Sequence, residues 1–219
     1  MAEFTLYIGN RTYSSWSLRG WLACRCAGIE FDEVVIPLDR PETATEIRRH
    51  SPSGKVPALR HGTILVWDSL AIGEYLAEVA PQAGLWPADR AARAHARAIA
   101  AEMHAGFVNL RRSMWMNLRC RFPGKGQTPE ALADIDRICA IWSDTRARFG
   151  HDGPFLFGKQ FNLADAMYAP VVTRFVTWSP PLPSDARAYV AAVWEHPSMV
   201  AWRKAADAEP WSIERYDNA

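Results

Sequence analysis

The stretch Thr12-Tyr13-Ser14-Ser15-Trp16-Ser17-Leu18-Arg19 decides how the first part of the chain folds. It follows an apolar run at residues 4–8 that has the length of a short buried strand. Serine caps helix N-termini well, and Gly28 is a typical residue at a helix C-terminus. The stretch therefore predicts a turn from a strand into a helix that spans residues 15–28.

The rest of the first 80 residues continues this alternation of strands and helices. We predict a strand at 31–38, a polar helix at 41–50, two strands at 56–60 and 63–66 around a turn at His61-Gly62, and a helix at 68–80 that Pro81 ends. The order β-α-β-α-β-β-α is that of a thioredoxin-like domain. The first three strands can pair in parallel or mixed fashion, and the last two form an antiparallel hairpin.

Residues 82–87 contain Gly and Pro and are predicted to form a linker, after which the pattern is helical throughout. We predict helices at 89–119, 129–149, 163–178, 184–194 and 198–208. Thr128 as the N-cap and Pro129 as the first helical residue support the start of the second of these. The predicted fold is thus an α/β thioredoxin-like domain at 1–81 and an all-α domain at 88–219.

The composition favours a protein that acts on a small molecule. The 219 residues carry 25 basic and 24 acidic side chains, so no overall field attracts nucleic acid or an anionic membrane. No apolar run reaches the ~20 residues of a membrane helix, and residues 1–10 lack the pattern of a secretory signal. The four cysteines form no C-x-x-C pair and are predicted to be reduced thiols. We therefore expect a soluble, cytoplasmic protein.

The turn at Ser14 and Ser15 occupies the position where thioredoxin-like redox proteins carry C-x-x-C. Serine cannot exchange disulfides, so dithiol chemistry by the chain itself is not expected. A serine hydroxyl and a helix N-terminus can instead stabilise a thiolate that a ligand brings. The alternative is that both serines only cap the helix.

Two later sites could hold a peptide-like ligand beside this turn. Val56-Pro57 opens a strand, and a cis-proline loop there would offer the Val56 N–H and C=O to a peptide. Asp68-Ser69 begins a helix, where Ser69 and nearby amides could take a carboxylate and Asp68 an ammonium. A γ-glutamyl group carries both charges. The alternative for Asp68 is a simple helix cap.

Four motifs resemble those of one family, in the expected order and at the expected separations. Residues 14–19 are similar to the S-S-C-x-x-R turn of the zeta class, the maleylacetoacetate isomerases, with Trp16 in place of cysteine. Residues 51–59 resemble N-P-x-G-K-V-P-x-L, residues 67–72 resemble E/D-S-x-A-I, and residues 157–165 resemble G-x-x-F-S/T-x-A-D, with Ser51 and Asn162 as departures. The chain thus resembles a bacterial, serine-type cytosolic glutathione S-transferase over essentially its whole length.

The resemblance implies a glutathione site at the first helix. Ser14 would be the hydroxyl that stabilises the thiolate, with Ser15 as its close competitor and Tyr13 as a third candidate. Glutathione would bind through Lys55, Val56, Asp68 and Ser69. No metal is expected, and the homodimer that is usual in the family is implied.

The second substrate would lie between the two halves, facing the first long helix. The candidates for this pocket are Tyr13, Trp16, Arg111, Met114 and Trp115. A Met/Trp cluster is also typical of a core. Arg111 or Arg112 near the pocket would favour acidic substrates. Arg19 could steady the site or be an ordinary ion-paired arginine.

The resemblance implies that glutathione, bound as thiolate, attacks a small electrophile, as in detoxification. One alternative is glutathione-dependent cis-trans isomerisation of a maleylacetoacetate-type diacid, which the two serines favour and the bulk of Trp16 disfavours. The other is a glutathione- or partner-binding protein without turnover.

Apart from this site, Asn162 and Asp165 are expected to form a capping box at a buried helix start, which is a structural role.

Overall fold

The computed structural model describes residues 2–219. Its first part contains a four-stranded sheet in the order β2-β1-β3-β4. The strands are β1 (Phe4–Ile8), β2 (Phe31–Val35), β3 (Ala58–His61) and β4 (Ile64–Trp67). β1 pairs in parallel with β2 and antiparallel with β3, and β4 pairs antiparallel with β3. The mixed sheet and the hairpin predicted from the sequence are therefore both present.

Three helices cover the two faces of this sheet. They are α1 (Ser15–Ala27), α2 (Thr43–His50) and α3 (Ser69–Val79). Phe4, Leu6 and Ile8 of β1 belong to the main core, whereas Tyr7 belongs to a second, smaller core with Ile47 of α2. Because successive side chains of a strand point to opposite faces, α2 lies on the face opposite α1 and α3.

The remainder of the chain is helical. Its helices are α4 (Arg90–Ala105), α5 (Val108–Ser113), α6 (Pro129–Phe149), α7 (Leu163–Trp178), α8 (Ser184–Trp194), α9 (Pro197–Asp207) and α10 (Glu214–Asp217). Every residue of α7 except Val176 is buried, so α7 lies at the centre. Thr128 caps α6 by accepting a hydrogen bond from the Ala131 N–H at 3.2 Å. Within residues 2–219, no helix combines the length and the apolar character needed to cross a membrane.

The predicted helix at 89–119 is interrupted, which corrects the sequence prediction. α4 ends at Ala105, Phe107 adopts a left-handed conformation with φ of 59°, and α5 ends at Ser113. A long-range contact holds α5 in place: the Asp134 carboxylate of α6 accepts a hydrogen bond from the Leu110 N–H of α5 at 2.9 Å. Such tertiary contacts override the helical spacing of the apolar residues in this segment.

Smaller differences concern the ends of elements. β2 ends at Val35 rather than at residue 38, since Pro37 has no N–H to donate to a ladder and the Leu38 N–H donates instead to the Asn10 side chain at 2.6 Å. The short helix α10 was not predicted.

Gly73 of α3 permits a close approach between the two parts of the chain. A Cβ atom at this position would lie 2.5 Å from Leu163 Cδ2 at the start of α7, so Gly73→Ala must displace one of the two helices or the leucine side chain. We expect this substitution to lower the free energy of unfolding by about 1–2 kcal/mol, because overpacking outweighs the better helix propensity of alanine. Urea denaturation measures the change.

The matched background for this prediction is Leu163→Ala, which removes the side chain that the new methyl group meets. In that background we expect Gly73→Ala to be neutral or stabilising, so the two substitutions are strongly non-additive. An equal loss of stability in both backgrounds contradicts the packing explanation.

Candidate active site

A cavity of about 680 Å³ lies beside the N-termini of α1 and α3. Its size is typical of small-ligand sites. The lining residues come from the starts of these two helices, from α2 and the loop before it, from the loop before β3, from the end of β4 and from α4. They are Ser14, Trp16, Leu38, Ile47, Ser53, Gly54, Lys55, Val56, Pro57, Trp67, Asp68, Ser69 and His104. Six of the residues predicted for the site are therefore brought to one cavity.

Ser14 is the N-cap of α1 and presents a buried hydroxyl to this cavity. Its Oγ accepts a hydrogen bond from the Ser17 N–H at 3.3 Å and donates one to Ser17 Oγ at 2.8 Å. Ser17 Oγ in turn accepts from the Gly9 N–H at 2.9 Å. Because a hydroxyl has one proton and two lone pairs, Ser17 can turn its own proton towards Ser14. The Ser14 proton is then available to an anion in the cavity.

Ser15 has a different environment from Ser14. Its Oγ lies 3.5 Å from Arg174 Nη2 of α7, and it is not among the residues that line the cavity in the described chain. The two serines, which the sequence could not rank by geometry, therefore face different surroundings. Ser14 is the better placed to touch a ligand in the cavity.

Asp68 and Ser69 form the start of α3. Asp68 caps the helix, since its Oδ1 accepts from the Leu70 N–H at 2.8 Å and from the Ala71 N–H at 3.3 Å. Its other oxygen, Oδ2, lies 3.2 Å from Nε2 of His104, which also lines the cavity. The Ser69 hydroxyl is buried, lines the cavity and has no hydrogen-bond partner within residues 2–219. A buried hydroxyl without a partner is unusual, and a polar ligand would supply one.

The loop before β3 forms another wall of the cavity. The Val56–Pro57 peptide bond is cis, and both residues line the cavity. Lys55 is exposed at its rim. The loop thus places backbone groups and one cation next to the two helix starts.

Tyr13 points away from the cavity, which corrects its prediction as a pocket residue and third catalytic candidate. Its hydroxyl donates to the Asp217 carboxylate at 2.9 Å and accepts from the Ile213 N–H at 3.1 Å. Burial raises the pKa of Tyr13 to about 12, and the hydrogen bond to Asp217 acts in the same direction. The side chain is thus held by the C-terminal segment.

Arg111, Met114 and Trp115 also differ from their prediction as pocket residues, because none of them lines the cavity that the described residues form. Met114 is fully buried in the core. Trp115 packs edge-on against Trp178 with ring centroids 4.8 Å apart, and its indole N–H donates to the Tyr216 carbonyl at 2.8 Å. The Arg111 guanidinium donates to carbonyl groups at the C-terminal end of α4.

His104 is a cavity residue that the sequence analysis missed. Besides its contact with Asp68, its ring meets Trp16 edge-on at 5.1 Å between centroids, and its Nδ1 has no partner among residues 2–219. Burial lowers the pKa of His104, and Arg19 and Arg111 lower it further against the opposing effect of Asp68. The sequence feature that could have identified His104 is its spacing on the helix. It follows the buried Ala100 by four residues and therefore lies on the same face of α4.

The four cysteines of the chain are not suited to supply a thiolate here. None of them is among the described residues that line the cavity. Burial raises the pKa of Cys24, Cys26, Cys120 and Cys139, to about 12 for Cys26 and about 11 for Cys139. A thiolate at Ser14 must therefore come from a ligand.

Two family descriptions match the chain. "Glutathione S-transferase, N-terminal domain" matches residues 13–79, and "Glutathione S-transferase, C-terminal domain" matches residues 90–205. The chain is 30% identical to a zeta-class glutathione S-transferase of Euphorbia esula, over 75% of this chain and 73% of that protein. It is 26% identical to a probable maleylacetoacetate isomerase of Caenorhabditis elegans, over 76% of each.

Solved structures give the same picture. A glutathione transferase homolog from Burkholderia, with bound glutathione, superposes with a TM-score of 0.70 at 26% identity, covering 94% of this chain and 99% of that one. A glutathione transferase from Methylococcus capsulatus superposes with a TM-score of 0.71 at 22% identity, covering 94% of this chain and 100% of that one. The second likeness concerns the fold alone.

Proposed function

The chain belongs to the glutathione S-transferase family, and we propose that its cavity binds glutathione with the sulfur at Ser14, as a thiolate that attacks a small electrophile. The observation that carries this proposal is the pairing of two hydroxyls in one cavity. Ser14 caps α1 there, and the buried Ser69 at the start of α3 lacks a partner within the described chain. These are a donor for a thiolate and a donor for a carboxylate.

The residues around the cavity fit the parts of glutathione. The γ-glutamyl carboxylate is matched by the hydroxyl and the N–H of Ser69, and the γ-glutamyl ammonium by Asp68 Oδ2, the oxygen that does not cap α3 and that lies near His104. The Val56 backbone can hydrogen-bond the cysteinyl peptide groups, as an added strand does. Lys55 at the rim suits the glycyl carboxylate. The ammonium and the glycyl carboxylate thereby meet a side chain of opposite charge, and the other groups meet neutral hydrogen-bonding partners.

The chemistry follows from the sulfur being held as an anion. A free thiol has a pKa of about 8.5, so most of it is protonated at neutral pH. The Ser14 hydroxyl and the positive end of the α1 dipole favour the thiolate. The thiolate then forms a carbon–sulfur bond with the electrophile, which either releases a leaving group or takes up a proton.

We assign residues 1–81 to glutathione and residues 88–219 to the electrophile. His104 of α4 lines the cavity, and the Arg19 Nε–H donates to the Met167 carbonyl of α7 at 2.9 Å, which supports a site at the junction of the two parts. The homodimer and the cytoplasmic location implied by the resemblance stay predictions. Sedimentation of the purified protein measures its oligomeric state.

A second candidate activity is the isomerisation of a maleylacetoacetate-type diacid by reversible addition of the thiolate. Similarity to the probable isomerase of Caenorhabditis elegans favours it. The bulk of Trp16, which lines the cavity at the position where the zeta class carries cysteine, disfavours it. Turnover of a maleyl diacid in the presence of glutathione decides between the two reactions, because isomerisation gives the trans alkene and regenerates glutathione, whereas conjugation gives a saturated thioether.

Ser69→Ala tests the binding mode directly. We expect the dissociation constant of glutathione to rise about tenfold, because a hydrogen bond to a charged group is worth about 1.5–3 kcal/mol. Isothermal titration calorimetry measures it. Cysteinylglycine, which lacks the γ-glutamyl carboxylate, should bind the variant and the wild type equally.

The matched control is Ser184→Ala. Ser184 is also the first residue of a helix, α8, but it is exposed and outside the cavity. The substitution Ser184→Ala should leave the affinity for glutathione unchanged. Unchanged affinity in Ser69→Ala as well contradicts the proposed placement of the γ-glutamyl group, and no glutathione binding by the wild type contradicts the proposed function.

A further inference from the structure

The turn that leads into α1 is held by residues from the helical part of the chain. It spans residues 10–14, between β1 and the first residue of α1, and we call it the Ser14 turn. The Asn10 carbonyl closes this turn by accepting hydrogen bonds from the N–H groups of Tyr13 at 3.2 Å and Ser14 at 2.9 Å. The three residues between Asn10 and Ser14 are also bonded to groups that lie more than 100 positions later in the chain.

Arg11 and Thr12 make these long-range bonds through their backbone. The Arg11 N–H donates to the Glu209 carboxylate at 2.9 Å, and the Arg11 carbonyl accepts from the Trp202 indole of α9 at 3.1 Å. The Thr12 carbonyl accepts from the Leu118 N–H at 3.3 Å. Glu209 and Trp202 are both buried. Because bonds to backbone groups fix the path of the chain, they dock the Ser14 turn against the helical part.

Tyr13 makes its long-range bonds through its side chain. They go to residues 209–217, which we call the C-terminal segment. The Tyr13 hydroxyl donates to Asp217 Oδ1 at 2.9 Å and accepts from the Ile213 N–H at 3.1 Å. Tyr13 is buried, and a hydrogen bond to a carboxylate is stronger than one between neutral groups. Since Tyr13 immediately precedes Ser14, Asp217 is one side chain away from the residue that caps α1.

Asp217 is itself fixed on its other side. Its Oδ1 also accepts from Asn117 Nδ2 at 2.8 Å, and the same amide group donates to the Tyr216 carbonyl at 2.8 Å. Asn117 is fully buried, and its backbone carbonyl accepts from the Thr177 hydroxyl of α7 at 2.7 Å. A connected set of hydrogen bonds therefore extends from the central helix α7 through Asn117 and Asp217 to the Ser14 turn.

We propose that Asp217 is a positioning residue of the thiolate site, which acts through Tyr13 to hold Ser14 Oγ where it can donate to the glutathione sulfur. Neither Asp217 nor Tyr13 is among the described residues that line the cavity. Hydrogen bonds weaken steeply with distance and angle, so a displacement of the Ser14 turn by about 1 Å would remove much of the effect of Ser14. The inference rests on the proposed function, since the sulfur is that of bound glutathione.

The sign of the expected effect separates positioning from electrostatics. Removal of the negative charge of Asp217 by itself favours a nearby anion and lowers the pKa of the bound glutathione thiol. Release of the Ser14 turn raises this pKa, because the thiolate loses a hydrogen bond. A raised thiol pKa in Asp217→Ala therefore indicates positioning.

The test uses glutathione and S-methylglutathione, which has no thiol to ionise. In Asp217→Ala, we expect the pKa of the bound glutathione thiol to rise towards the free value of about 8.5, as followed by ultraviolet thiolate absorbance. With a neutral chlorodinitrobenzene at neutral pH, kcat should fall about three- to tenfold, the range for one weakened hydrogen bond. The affinity for S-methylglutathione, measured by calorimetry, should be unchanged, because we place its γ-glutamyl group at α3. Ser69→Ala should show the opposite pattern, with weaker binding of S-methylglutathione and an unchanged thiol pKa.

Matched variants test the route from Asp217 to Ser14. Glu214→Ala removes an exposed carboxylate from the same short helix, α10, and should keep the wild-type thiol pKa. Asp217→Asn keeps Oδ1 as an acceptor and should restore most of the effect that Asp217→Ala loses. In a Ser14→Ala background, Asp217→Ala should raise the thiol pKa no further, because both residues act through one hydroxyl.

Tyr13→Phe keeps the test available if Asp217→Ala does not fold. It removes the same hydrogen bond and leaves the aromatic ring in place. The thiol pKa should rise as in Asp217→Ala, and the affinity for S-methylglutathione should again be unchanged.

A readout without glutathione examines the Ser14 turn itself. The backbone amides of residues 10–17 should exchange hydrogen faster in Asp217→Ala than in Glu214→Ala. The amides of α3 should exchange at the same rate in both variants, because a local release of the turn leaves α3 unchanged.

A thiol pKa that is unchanged or lowered in Asp217→Ala overturns the proposal, as does an equal rise in Glu214→Ala or equal exchange at residues 10–17 in the two variants. Failure of the proposed function gives a different result, in which the wild type binds neither glutathione nor S-methylglutathione. If exchange at residues 10–17 still depends on Asp217 in that case, the restraint on the turn stands and its role towards glutathione falls.

Discussion

Replacing Ser14 by alanine is expected to return the pKa of the bound glutathione thiol towards its free value of about 8.5. With a neutral chlorodinitrobenzene as electrophile, kcat/KM at neutral pH should fall about 10- to 100-fold, the range for loss of one hydrogen bond to a charged group. The wild type should hold the thiol pKa well below the free value. The ultraviolet absorbance of the thiolate, followed against pH in the glutathione complex, measures these pKa values.

The size of this effect follows from the surroundings of the hydroxyl. Ser14 Oγ is held by Ser17, which is held by the Gly9 N–H at 2.9 Å, so the oxygen is in place before the ligand arrives and only the hydroxyl protons have to turn. A donor fixed in advance pays little reorganisation cost when charge develops on sulfur. Ser17→Ala should reproduce part of the effect, because it leaves Ser14 in place but frees it to rotate.

Ser15→Ala is the matched control, one residue along the same helix start. Its Oγ faces Arg174, and it is not part of the described cavity lining, so the thiol pKa should stay at the wild-type value. A pKa that rises in Ser15→Ala and not in Ser14→Ala reverses the assignment. A wild-type thiol pKa equal to the free value favours the alternative of a binding protein without turnover.

Local signals in the sequence were sufficient for most of the fold. Thr128 and Pro129 fix the start of α6 by capping and by a preset φ angle, and α6 begins where they predict. The pair Asn162 and Asp165 forms the predicted capping box at α7. Such features depend on residues a few positions apart, so a sequence pattern contains them in full.

The site was only partly predictable, for a physical reason. Ser14 and Asp68-Ser69 come together because helix starts follow strands of one sheet, which the element order already implies. The roles of Tyr13 and Arg111 depend instead on partners distant in the chain or on the break after α4. Tyr13 is bound by Asp217, 204 positions later. The spacing of residues along the sequence does not show which distant group will bind a given side chain.

Asp165→Ala is expected to lower the free energy of unfolding by about 3 kcal/mol or more, because each buried donor left without its acceptor costs about 1–3 kcal/mol. Asp165 is fully buried, and its carboxylate accepts three long-range or capping bonds. They come from the Asn162 N–H at 3.0 Å, the Leu156 N–H at 3.0 Å and the Tyr189 hydroxyl at 2.9 Å. Urea denaturation at neutral pH measures the loss.

Two further variants divide this effect. Tyr189→Phe removes one of the three bonds and should cost about 1 kcal/mol, since the two backbone donors keep their acceptor. Asp165→Asn keeps the shape and loses the charge, and its amide N–H group meets a backbone donor. A fully stable Asp165→Ala protein contradicts the structural role assigned to this residue.

The charge of Asp165 also predicts a pH dependence with a definite sign. Burial raises the pKa of Asp165 to about 6 in the folded protein, against the opposing effect of its hydrogen bonds. An unfolded aspartate titrates near ~3.9, so the folded state binds the proton more tightly. The stability that this group contributes is therefore complete below about pH 4 and is lost as the pH rises through about 6.

The difference in unfolding free energy between wild type and Asp165→Asn separates the contribution of Asp165 from that of the other carboxylates. It should shift in favour of the wild type as the pH falls from 7 to 4, and a difference that is constant over this range contradicts the raised pKa.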